Sequence, residues 1–157
     1  MADRVRQWLN LRYALIPYLV QQGEKAIRTG FPLMRALLMH YPDDPYCWHI
    51  DDQFFCGDNL LVAPVLNETG VRDIYLPAGK WVDLWTGEQV MGPVQIKQVR
   101  LPVERIPVYA VWGSSIPVYP KAAQCTDRMD LKQTAEIVFD REYKGLNNSI
   151  LGLFVRL

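Results

Sequence analysis

Ile74-Tyr-Leu-Pro-Ala-Gly-Lys-Trp-Val-Asp-Leu-Trp-Thr-Gly-Glu88 reads as two short apolar runs, each followed by a turn. Ile74 to Leu76 and Trp81 to Trp85 are the runs; Pro77-Ala-Gly79 and Thr86-Gly-Glu88 are the punctuation. Similar runs follow at Val94 to Leu101, Val108 to Trp112 and Ile116 to Tyr119. Ile137 to Phe139 and Ile150 to Val155 supply two closing strands. Short strands with turns about every 8–12 residues predict a mainly β, antiparallel β-sandwich or barrel.

Upstream of Gly30 the character is different. Val5, Trp8, Leu9, Leu15, Ile16, Leu19 and Val20 recur at helical spacing, so Asp3 to Arg28 is predicted as a helix. Asp3 would cap its start and Gly30 would follow its end. Pro17 removes the hydrogen bond to Tyr13 and predicts a kink or break. Leu33 to Met39, apolar except for Arg35, fits a strand buried on both faces, with a helix as the alternative for so short a run. Tyr41 to Pro45 is a loop, Gly57-Asp58-Asn59 a turn, and Leu60 to Leu66 a further apolar run.

The chain has 157 residues, 50% hydrophobic and 22% charged, an ordinary globular balance. Seventeen basic residues against 17 acidic ones leave no net charge to recruit nucleic acid. No apolar run reaches the roughly 20 residues of a membrane span. Three widely spaced cysteines make no disulfide framework. This reading expects neither nucleic acid nor membrane as a partner. It favours a cytoplasmic setting, although any export signal would lie on an upstream part.

Chemistry is sparse. Cys47, His49, Asp51, Asp52 and Cys56 are residue types that zinc accepts, but no second short-spaced pair completes a site, and no metal is expected. Asp43-Asp44 and Asp51-Asp52 are carboxylate neighbours; glycosidases need two acids opposed across a bond, whereas an Asp-Asp between prolines caps or turns the chain. With only His40 and His49, no Ser/His/Asp arrangement can be built. No phosphate-binding glycine loop is present. Asn67-Glu-Thr69 and Asn147-Asn-Ser149 match the glycosylation acceptor pattern, which matters only in a secreted protein. Trp81, Trp85, Trp112, Tyr109 and Tyr119 form either a core or a sugar-stacking platform, with core the expectation.

Three stretches, in order, resemble one family: Gly30-Phe-Pro-Leu-Met-Arg-Ala-Leu-Leu-Met-His-Tyr-Pro-Asp-Asp-Pro45, Asp52-Gln-Phe-Phe-Cys-Gly-Asp-Asn-Leu-Leu-Val-Ala-Pro-Val65, and Tyr75 to Gly87. They are similar to the carboxyl-terminal part of glycoside hydrolase family 31, the retaining α-glucosidases and α-xylosidases. The Pro-Asp-Asp-Pro and Gly-Asp-Asn versions lean toward the α-xylosidases. The resemblance covers about residues 3 to 120 and fades beyond.

It implies an antiparallel β-sandwich preceded by a helix and strand from the end of a truncated (β/α)8 barrel. Residues 1–59 would be the last helix, strand and loop of that incomplete barrel, with Phe31 to Met39 as its final strand; residues 60–157 would be the sandwich. The family's Trp-x-Asp-x-x-Glu nucleophile motif and His-Asp-x-Gly-Gly stretch do not occur in this sequence, and Trp48-His-Ile-Asp51 is only a partial look-alike. No catalytic residue is therefore assigned, and no cofactor is expected.

Barrel chemistry sits at the carboxyl ends of strands, so Arg35 and the loop from His40 to Trp48 would flank the parent's pocket. Arg35 is the candidate site residue, with its guanidinium holding neighbouring carboxylates behind the pocket. The implied function is to close and buttress the barrel of an enzyme hydrolysing terminal α-linked glucose or xylose. Its partner would be the rest of the barrel or a complementing chain. The amino-terminal segment would otherwise pack on the sandwich, self-associate or be poorly ordered. The alternative is a noncatalytic carbohydrate-binding or interaction module.

Overall fold

A computed structural model describes residues 2–100, 105–120 and 125–146. The opening helix is two helices, α1 (Ala2–Ala14) and α2 (Ile16–Thr29), meeting at Leu15. The break falls where the missing N–H of Pro17 requires one, with Pro17 in the first turn of α2, where that N–H has no partner to lose. Gly30 ends α2 in the left-handed region at φ 75°, its N–H donating to Ala26 O at 2.9 Å. Asp3 lies inside α1, not at its cap.

The strands are β1 (Met34–Ala36), β2 (Phe54–Cys56), β3 (Leu60–Val62), β4 (Val71–Asp83), β5 (Gln89–Arg100), β6 (Val108–Val111), β7 (Ser115–Val118) and β8 (Ala135–Val138). A six-stranded sheet has the order β1-β2-β3-β6-β4-β5, and β7 pairs β8 in a second sheet. Every neighbouring pair is antiparallel. Residues of the two sheets, Val82, Val108 and Ala110 from the first and Ile116, Val118 and Ile137 from the second, share one buried cluster. The fold is a β-sandwich with helices added to its core. The strand expected at Ile150 to Val155 lies outside the described residues.

The sequence period of two is visible at the sheet's centre. Leu60, Val108, Ala110 and Val82 enter the cluster between the sheets, while their neighbours Leu61, Tyr109 and Trp81 enter a second cluster on the opposite face. The helices complete the first cluster through Leu11, Ala14 and Tyr18, with Trp8, Leu15 and Leu19 beside them; Val5, Leu9 and Val20 of the expected stripe stay exposed. Trp8 meets the edge of Trp85 at 5.8 Å. The second cluster is covered by Leu37 and Cys47 from the loop after β1 and by Ile74 and Leu76 of β4.

The expectation for Leu33 to Met39 is corrected. Leu33 to Met39 is not one doubly buried strand: β1 is three residues long and runs into a 3-10 turn at Leu37–Met39. Arg35 and Leu37 are buried while Met34 and Leu38 are 62% and 42% exposed, because β1 is an edge with one covered face. It pairs antiparallel to β2, with Arg35 opposite Phe55. The β2–β3 hairpin spans the expected boundary at residues 59 and 60, so the sheet is continuous there.

The turn expected at Pro77-Ala-Gly79 is instead a bulge inside one long strand. Leu76 pairs with Val94 and Gly79 with Gly92, so β4 spends three steps where β5 spends two. Pro77 has no ladder donor to lose there, and its carbonyl accepts the Trp81 indole N–H at 2.9 Å. A side chain at Gly92 would collide with Pro77 O. A second bulge on β5 puts Gln98 at φ 55°, compensated by its N–H donating to Asp73 Oδ1 at 2.8 Å.

Tyr18 ties helix to sheet. Its hydroxyl donates to Cys56 O at 2.8 Å and accepts from Asn59 N–H at 3.1 Å. Burial raises its phenol pKa well above the ordinary value. Gly57, at φ 67°, leaves room for that hydroxyl, since a Cβ would lie 2.5 Å from it. Tyr18→Phe is expected to lower stability by about 1–3 kcal/mol in urea unfolding, because two backbone groups lose their partner. The far-ultraviolet circular dichroism should be unchanged; an unaltered midpoint would refute the tie.

Candidate functional site

Arg35 lies on β1, 1% exposed, where α2, β1 and the β2–β3 turn converge. Its Nε donates to Pro32 O at 2.6 Å and its Nη1 to Asp58 Oδ1 at 2.6 Å. Nη2 reaches Gln22 Oε1 at 3.5 Å, and the Phe31 ring lies 5.0 Å from the guanidinium carbon. Lys25 completes the cluster from α2, donating to Asp58 Oδ2 at 2.8 Å. Helical spacing explains the pairing of Gln22 and Lys25, because residues three apart share a face.

Burial would raise the Asp58 pKa, but hydrogen bonds from Lys25, Arg35 and Gln22 outweigh it and hold the carboxyl down at about 2. His40 stacks on Phe55 at 4.2 Å, and Nη1 of Arg35 lies 3.3 Å from its Nε2. A guanidinium only donates, so Nε2 accepts and the ring proton sits on Nδ1. Burial and the Arg35 charge both lower the His40 pKa, consistent with that neutral form.

The loop following β1 is built by its prolines and Asp44. Asp44 caps the 3-10 helix Pro45–His49, Oδ1 accepting from Tyr46 N–H at 3.0 Å. Its other oxygen accepts from the Tyr75 hydroxyl at 2.7 Å, and the Tyr46 ring stacks on Tyr75 at 5.1 Å. The Trp48 indole donates to Pro42 O at 2.7 Å. Tyr46 and Trp48 nevertheless stay 63% and 56% exposed. Sequence reading did not single out Tyr46 or Tyr75; the Asp-Pro-Tyr spacing that makes a capped turn was the available signal.

The zinc-type residues are scattered. Cys47 is buried, with its thiol pushed up to about 12 by burial and by the Asp44 charge. Asp52 Oδ2 is 2.9 Å from Arg72 Nη2, whereas His49 and Asp51 are exposed. Among the described residues no three His, Cys, Asp or Glu side chains gather as a metal site. Arg72 is a second buried guanidinium, held by the carbonyls of Asp52 and Pro64 and by Gln53 Oε1.

The aromatic platform is core. Trp81, Trp85, Tyr109 and Tyr119 are 1%, 9%, 5% and 5% exposed, and Trp112 carries the Lys80 ammonium 3.4 Å from its ring centre. Asn67 sits in an exposed turn, its side-chain oxygen accepting from the Thr69 hydroxyl at 2.8 Å; Asn147 lies outside the described residues.

The chain is similar to known proteins. The Glycosyl hydrolase family 31 C-terminal domain matches residues 30–116. The 1,3-alpha-isomaltosidase of Kribbella flavida is 40% identical over 126 residues, 74% of this chain and 17% of that protein. A Flavobacterium johnsoniae GH31 dextranase solved with isomaltotriose superposes with a TM-score of 0.71 at 39% identity, covering 76% of this chain and 15% of the enzyme. The GH31 alpha-xylosidase of Xanthomonas citri gives 0.72 at 32% identity, covering 79% and 14%. The chain thus spans less than a fifth of the length of these relatives. With a family domain matched over residues 30–116 and a relative 40% identical across 74% of its own length, this chain belongs to glycoside hydrolase family 31 and carries the family's carboxyl-terminal domain.

Proposed function

We propose that this chain closes and buttresses the catalytic body of a retaining α-glycosidase acting on terminal α-linked glucose or xylose. The observation that carries the reading is the match to the family's carboxyl-terminal domain in a chain spanning 17% of its isomaltosidase relative. In such an enzyme one carboxylate attacks the anomeric carbon while another acid protonates the leaving oxygen, and water completes the reaction with retention. Those two acids belong to the remainder of the enzyme. Residues 1–59 would contribute the helices and the short strand that meet it.

Two features support a docking role. The outer edge of β1 has no neighbouring strand among the described residues, so it offers unpaired backbone groups. Val5, Leu9, Val20, Ile27, Met34 and Leu38 are exposed on α1, α2 and the β1 segment. Arg35 fixes β1 from behind through Asp58, Gln22 and Pro32, so it acts as a positioning residue.

Co-expression with a polypeptide carrying the family's barrel is expected to give hydrolysis of a chromogenic α-glucoside or α-xyloside that neither part gives alone. Enzyme-like turnover by the isolated chain would overturn the reading. Arg35→Met should cost about 2–4 kcal/mol, since it leaves Asp58 with only Lys25 as a charged partner.

Asp58 adds a pH test. Its folded pKa of about 2 lies below the ordinary 3.8, so its stabilisation is fully present above the unfolded value and is lost as pH falls from about 4 through 2. The difference in unfolding free energy between the parent and Asp58→Asn should be about 2 kcal/mol at pH ~6 and vanish near pH ~2. A difference independent of pH would show that the ion pair does not contribute.

A further inference from the structure

Residues 40–45 and the β4–β5 hairpin enclose an open cleft of about 420 Å3, walled by Pro42, Asp43, Asp44, Tyr75, Ala78 and Pro93. His40, which accepts from Arg35, also lines the cleft, whereas Pro32, Gln22 and Asp58, the other groups holding Arg35, do not. Its wall combines ring surfaces with carboxylates, and no Lys or Arg lines it among the described residues. Asp43 is exposed and has no hydrogen-bond or ionic partner among the described residues. Asp44 accepts from Tyr46 N–H, the Tyr75 hydroxyl and the Cys47 thiol, three bonds against the roughly four acceptor sites of a carboxylate, so it retains one.

The wall is also fixed in place. The Tyr75 hydroxyl is tied to Asp44, the Tyr46 ring lies against Tyr75 with an interplanar angle of 18°, and the Trp48 indole holds the Pro42 carbonyl. Little conformational freedom remains to be lost on binding. A pyranose ring presents an apolar C–H face and a rim of hydroxyl donors. The first matches tyrosine and proline surfaces, and the second matches carboxylate acceptors. An anionic ligand would meet two carboxylates and no cation.

We propose that this cleft is a binding site for one glucosyl unit of a neutral α-linked oligosaccharide, stacked against Tyr75 and the prolines and hydrogen-bonded to Asp43 and Asp44. The choice of a glucosyl unit rests on the function proposed above. The site holds a sugar without cleaving it, retaining a remote part of the chain near the catalytic body.

The test is a nuclear magnetic resonance titration of the labelled chain with isomaltotriose to about 10 mM, beside a uronic-acid trisaccharide. Shifts confined to residues 41–46, 75–79 and 93 are expected, with a dissociation constant of about 1–10 mM. The uronate should give none. Ala78→Trp fills the cleft from an exposed position and should weaken binding at least about tenfold, and Asp43→Ala about threefold or more. Absence of shifts, shifts elsewhere, equal response to the uronate, or parent-like affinity in folded Ala78→Trp and Asp43→Ala would each overturn the proposal. Restored hydrolysis on co-expression without sugar binding by this chain would defeat the cleft alone. Sugar binding without restored hydrolysis would instead defeat the buttress reading.

Discussion

Leu60, Val82, Val108 and Ala110 bury one side of the central strands, and Leu61, Trp81 and Tyr109 bury the other. A three-strand centre that is apolar on both faces must be covered twice, and the remaining elements follow from that demand. The helices and the small β7–β8 sheet cover one face. The loop after β1 and the curled β4–β5 hairpin cover the other. Each large side chain so buried contributes about 1.5–3 kcal/mol, a sizeable part of a domain's total stability of about 5–15 kcal/mol. The amino-terminal helices are therefore structural members of the sandwich here, supplying Leu11, Ala14 and Tyr18.

Two buried guanidiniums join the layers at their margins. Arg35 links α2 to β1 and the β2–β3 turn; Arg72 links β4 to the segments on either side of the β2–β3 hairpin through Asp52, Gln53 and Pro64. A buried cation left without partners would cost several kcal/mol, so each is effective only as a complete set. Gln53 extends the second set by exchanging hydrogen bonds with the backbone of Tyr75, at 2.8 and 2.9 Å. Among the described residues no buried side-chain nitrogen or oxygen lacks a partner.

Much of this was legible in the residues because alternation and turn chemistry are local. The apolar runs at Leu60, Trp81, Val108, Ile116 and Ile137 all lie in or beside strands, and Pro17 and Gly30 punctuate the helices as their chemistry requires. Pro77-Ala-Gly79 was misread because the same residues serve a turn or a bulge; the close approach of Gly92 on the partner strand decides between them. The doubly buried strand at Leu33 to Met39 failed because hydrophobicity does not reveal that β1 is an edge. At the site, Arg35 and the carboxylate partner expected for it were legible, but not which carboxylate: Asp58 lies 23 residues away. The zinc-type residues and the tryptophans were legible as types, and their dispersal or burial was set by the tertiary fold.

The match to the family's carboxyl-terminal domain starts at residue 30, yet the bonds between Tyr18 and Cys56, Gln22 and Arg35, and Lys25 and Asp58 all cross that point. A chimaera spliced at Gly30 between two relatives would combine a helix from one with a turn from the other, and each of these pairings would have to match by chance. The smallest segment that can be exchanged intact among such enzymes therefore starts upstream of Tyr18 and runs past Asn59. Selection should treat these two stretches as one heritable block.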